Sequence, residues 1–72
     1  MGLVEEAFVR LYPEKEFRYS VSVRYSGRFR AYNANARMRR DIIIFSLSKK
    51  WRGVDEEIKI GLIQELLVSL LQ

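Results

Sequence analysis

The stretch DEEIKIGLIQELLVSLLQ, Asp55 to Gln72, is the longest uninterrupted helical pattern in the chain. Acids stand at its front, where the helix dipole favours negative charge, and Asp55 is the expected N-cap. At 100° per residue, Ile60, Leu62, Ile63, Leu66, Leu67, Leu70 and Leu71 cover roughly half of the circumference, wider than a one-sided amphipathic helix needs. The remaining face carries Gly61, Gln64, Glu65, Val68, Ser69 and Gln72. So apolar a helix must lie on a sheet and on a second helix, or on another molecule.

Working backwards, Ser48-Lys49-Lys50-Trp51-Arg52-Gly53-Val54 reads as a connector with a short helical turn around Trp51. Before it, Ile42-Ile43-Ile44-Phe45-Ser46-Leu47 is a continuous apolar strand, expected to be buried on at least one face. From Phe17 the period is two: Phe17, Tyr19, Val21, Val23 and Tyr25 alternate with Arg18, Ser20, Ser22 and Arg24, a half-buried strand. Ser26-Gly27 is read as a hairpin turn, with glycine supplying a positive φ. A second strand is expected over roughly Arg28 to Arg37, bulged or broken by its small residues and by Asn33 and Asn35, with Met38 to Asp41 as the next turn. At the front, Leu3, Val4, Ala7, Phe8 and Leu11 form one stripe of a short helix that Tyr12-Pro13 ends. The expected fold is a single α+β domain over residues 1–72: helix, three-stranded antiparallel β-meander, C-terminal helix.

Seventy-two residues are near the lower size at which one core is stable unaided. The chain has no cysteine and no histidine. This removes disulfides, thiolate metal sites, the commonest zinc and haem ligands and the Ser-His and Cys-His nucleophile pairs. No glycine-rich phosphate loop is present, since Gly2, Gly27, Gly53 and Gly61 are all isolated. The first residues lack the basic start and apolar run of an export signal, and no apolar run is long enough to span a bilayer. The expectation is a cytoplasmic protein with no cofactor and no membrane partner.

The strand and turn Ile44-Phe45-Ser46-Leu47-Ser48-Lys49-Lys50-Trp51, followed by Ile63-Gln64-Glu65-Leu66-Leu67-Val68, resembles the SprT-like zinc metallopeptidase family over about residues 17–72. The resemblance implies a zincin-like core whose last helix carries two zinc-binding histidines and a general-base glutamate. Gln64 and Val68 stand where those histidines would be, and only Glu65 is retained. A zinc hydrolase needs three protein ligands and a polarised water. The resemblance therefore implies a degenerate, non-catalytic member, without catalytic or metal-binding residues.

Charge is the strongest functional signal. Residues 1–16 carry a net −2, residues 17–52 a net +9 and residues 53–72 a net −3. Arginine outnumbers lysine in the basic middle, and arginine suits bidentate phosphate contacts. Arg24, Arg28, Arg30, Arg37, Arg39, Arg40, Lys49, Lys50 and Arg52, interleaved with Tyr32 and Trp51, form the candidate surface for DNA or RNA. Tyr19 and Tyr25 are assigned to the core. The same arginines would equally serve as the solvated face of an antiparallel sheet. The alternative reading is a protein-interaction or homodimerisation domain in which Ile60, Leu67, Leu70 and Leu71 meet a second copy or an adjacent domain. A helix that runs to Gln72 without a glycine cap is how a domain cut from something larger would look.

Overall fold

The computed structural model describes residues 2–72. Helix α1 spans Leu3–Leu11 and buries Val4, Ala7 and Phe8; it ends at Tyr12, as the following proline requires. Strands β1 (Ser20–Ser26), β2 (Ala34–Arg39) and β3 (Ile42–Ser48) form one sheet. A 3₁₀ turn over Lys49–Gly53 leads into helix α2, Glu56–Leu71. The turn and the helix are each capped at their N-terminus by a side chain. The Ser48 hydroxyl accepts from the Lys50 N–H at 3.2 Å, and the Asp55 carboxylate accepts from the Glu57 N–H at 2.9 Å.

The domain is α+β, but its sheet is mixed, and the antiparallel meander is corrected. Strand order is β1-β3-β2. β3 lies in the centre, antiparallel to β2 and parallel to β1. Ser26-Gly27 is accordingly not a hairpin turn. It opens a crossover of residues 27–33 that passes the end of β3 and delivers the chain to the far edge. Gly27 has no positive φ; the positive-φ residues are Ala31 (φ 51°) in the crossover and Arg40 (φ 58°). The hairpin joins β2 to β3 through Arg40-Asp41, so Met38 and Arg39 belong to a strand rather than a turn. Strand β1 begins at Ser20, three residues after the start of its alternating pattern.

The reason is the apolarity of β3. A strand reading IIIFSLS is best placed between two others, where both backbone edges are paired and Ile43, Phe45 and Leu47 are wholly buried. A β1–β2 hairpin would have left β3 on an edge.

Residues at the same register level share a face. One face carries Val21, Val23 and Tyr25 of β1, Ile43, Phe45 and Leu47 of β3, and Ala34, Ala36 and Met38 of β2. Both helices cover it. Val4, Ala7 and Phe8 meet Ile43, Phe45, Ile60, Ile63 and Leu67 in one core. Small Ala34 and Ala36 on β2 leave room for α2, which packs there directly. Phe8 gathers Tyr12, Phe17 and Tyr19 around itself at ring-centroid distances of 5.1, 5.0 and 6.2 Å. The two helices are joined at their polar flank, where Arg10 bridges Glu6 of α1 and Glu57 of α2. That arrangement holds the Glu57 carboxyl below its ordinary range and raises the Arg10 guanidinium further.

Candidate nucleic-acid interface

The opposite face of the sheet has no helix over it. Its three rows are Ser20-Ile42-Arg39, Ser22-Ile44-Arg37 and Arg24-Ser46-Asn35. Three of the expected basic residues, Arg24, Arg37 and Arg39, therefore stand on an open, shallow surface floored by isoleucine and serine. No aromatic ring lies on it.

The aromatic side chains gather at one end, where β1 and β3 finish. The crossover brings Tyr32 against Trp51 of the 3₁₀ turn, their rings edge to face with centroids 5.5 Å apart. The Trp51 indole N–H donates to the Tyr32 carbonyl at 2.9 Å, which fixes the crossover to the turn. Tyr32 is 56% exposed. The Lys50 ammonium lies 5.8 Å from the Tyr32 centroid, and the Arg52 guanidinium lies 5.0 Å from that of Tyr25. The Lys49 side chain runs beside Gly27, where an added Cβ would lie 3.8 Å from it. Arg28 and Arg30, both exposed, belong to the same crossover. Five cations and the rings of Tyr25, Phe29, Tyr32 and Trp51 thus share this end, and the crossover and 3₁₀ turn contain no acid.

Every ion pair among the described residues uses Arg10 or Arg18. Arg24, Arg28, Arg30, Arg37, Arg39, Arg40, Lys49, Lys50 and Arg52 keep their charges unpaired there.

Not all of the expected residues come together. Arg40 sits in the β2–β3 turn at the opposite end of the sheet beside Asp41, the one acid of the basic middle. Arg39 is in the row nearest that turn. Tyr25 was assigned to the core, yet it is half-buried with Arg52 over its ring, and belongs to the aromatic end. Its alternation with Arg24 is what concealed it: on an edge strand, the inner face is only partly covered.

The apolar arc of α2 is largely consumed inside the chain. Ile60 and Leu67 are buried in the core, so the expectation that they meet a partner is corrected. Leu70 and Leu71 pack against the core's margin and line a cleft with Phe8, Tyr12, Tyr19 and Met38. Ile58, at the start of α2, is the apolar residue left outside, 59% exposed.

The positions aligned with zinc ligands do not fit a zinc ion. The Gln64 amide N–H donates to the Ala7 carbonyl of α1 at 3.4 Å, tying the helices together. Val68 offers no donor atom, and Glu65 is exposed. Among the described residues no three acidic side chains cluster, and no helix is long and apolar enough to cross a membrane. No protein-family model, no curated protein and no solved structure matches the chain.

Proposed function

We propose that this domain is a non-catalytic module that binds single-stranded nucleic acid at the aromatic end of its sheet. The observation that carries this reading is the exposed Tyr32 ring, set edge to face with Trp51, with Lys50 beside it and its backbone tied down by the Trp51 indole. A base stacks on an aromatic face irrespective of its sequence, and neighbouring cations track the phosphates. A duplex hides its base faces, so a stacking platform at the end of a sheet serves an unpaired strand. Arg28 and Arg30 of the crossover and Lys49 and Arg52 of the 3₁₀ turn stand at the same end of the sheet, and Arg24 extends the basic path onto the open face.

Fluorescence anisotropy with labelled single-stranded and duplex DNA and RNA tests the reading. Tyr32→Ala is expected to weaken single-strand binding about 5- to 150-fold, the range that corresponds to the roughly 1–3 kcal/mol of one stacked base. A duplex is expected to bind more weakly than a single strand of equal length. Titrations that stay flat, or a Tyr32→Ala protein that binds as the wild type does, overturn it.

A further inference from the structure

The free edge of β1 carries a second site. The Ser20 N–H donates to the Asp41 carbonyl at 2.9 Å, on the β3 side. In a parallel ladder successive residues turn their backbone groups to alternate sides. Ser20, Ser22, Arg24 and Ser26 therefore face β3, and Val21, Val23 and Tyr25 present N–H and C=O outwards. The side chains of Val21 and Val23 lie on the helix side but are 36% and 39% exposed. They floor an open apolar groove bounded by Leu3, Val4, Phe17 and Tyr19. Proteins blunt such edges with lysine, proline, bulges or a covering segment. In β1, SVSVRYS, the one charge is Arg24 on the open face, and the strand has no lysine, proline or bulge.

We infer that this edge pairs with the same edge of a second copy, in an antiparallel arrangement centred on Val23. The strand is self-complementary in that register. Val23 stands opposite Val23, Val21 opposite Tyr25, Ser20 opposite Ser26 and Arg24 opposite Ser22. All three outward-facing residues find outward-facing partners, giving about six backbone hydrogen bonds. The two Val23 side chains then meet at the centre on the helix side, and each Tyr25 packs on Val21 of the other copy, closing the groove. Moving the centre to Arg24 would set the two guanidiniums opposite each other, and moving it to Ser22 would leave Tyr25 beyond the strand's end. The sheet becomes six-stranded with its two open faces continuous. This assembly stands independently of the nucleic-acid reading.

Sedimentation and single-cysteine crosslinking test it, on a chain that has no other cysteine. A hydrogen-bonded antiparallel pair holds its Cα atoms about 5.5 Å apart, within disulfide reach. V23C is expected to oxidise to a covalent dimer. V21C is expected not to, because each Val21 lies roughly 14 Å along the strand from its own copy. V21C/Y25C restores the crosslink. Val23→Lys, whose fold is checked by circular dichroism, is expected to sediment as a monomer where the wild type forms a dimer. A wild type that stays monomeric at millimolar concentration overturns the inference. So does a dimer that survives Val23→Lys and leaves the V23C thiol free, since it would use another surface.

Discussion

Salt titration of the Lys50→Gln/Arg52→Gln double variant probes the aromatic end most directly. The cations around Tyr32 and Trp51 are Arg28, Arg30, Lys49, Lys50 and Arg52, none in an ion pair among the described residues. Each phosphate neutralised on a single strand releases about 0.7 of a counterion, so five contacts give a slope of log K against log salt of about −3.5. Affinity then falls roughly 100-fold between about 50 and 200 mM salt. Removing two of the five leaves a slope of about −2, and a fall of roughly 20-fold over the same interval. Arg40→Gln, at the far end of the sheet, serves as the control and is expected to leave the slope near its wild-type value. Anisotropy of a labelled oligonucleotide of fixed length, at five or more salt concentrations, gives both slopes. The placement of the site is refuted if the double variant keeps the wild-type slope, or if Arg40→Gln lowers it as much. A wild-type slope shallower than about −1 refutes the phosphate contacts altogether.

Leu67→Glu is expected to unfold the chain rather than to yield a folded monomer, because Leu67 is fully buried; loss of the helical circular dichroism at 25 °C checks it. Arg40→Gly is expected to stabilise the domain by about 0.5–1 kcal/mol, since a positive φ strains every side chain that has a Cβ; a thermal melt would rise by a few degrees. Arg10 lowers the Glu57 carboxyl in the folded state, so its stabilisation is present above the ordinary carboxylate range and is lost as pH falls through the lowered value. Melting temperature should therefore drop less on acidification in Glu57→Gln than in the wild type, and the difference should shrink in high salt, because the pair is exposed.

Much of the fold was legible in the chain. Pro13 ended α1, the stripe from Leu3 to Leu11 buried the residues its spacing placed inwards, and Asp55 capped α2. The error lay in assigning neighbours. A serine-glycine pair between two strand-like stretches reads as a hairpin, because local turn chemistry is visible and strand order is not. The winning constraint was non-local: Ile43, Phe45 and Leu47 needed cover from both sides, and only the central place provides it. The real hairpin turn, Arg40-Asp41, lies inside the expected Met38 to Asp41 turn, and only its start was misplaced, because β2 runs on to Arg39 and no glycine marks the turn. The basic composition of the site was likewise visible, but its grouping was not. Arg52 and Tyr25 are far apart in sequence and meet only because β1 runs parallel to β3. The excess apolarity of α2 left open whether the first helix or another molecule covers it; most of it is core.

That parallel pairing also orders events during folding. The β2–β3 hairpin closes around two residues and forms on the scale of microseconds, needing no other part of the chain. β1 has no partner until β3 exists, since Ser20 pairs with Ile42 and Ser26 with Ser48 across the entire crossover. Closing so long a loop brings little reward before the core has assembled on β3. β1 is thus the last strand to join and the first to leave, and its amides should exchange fastest of the three. The segment that confers the open edge is therefore also the one whose release uncovers β3, the strand on which the core is built.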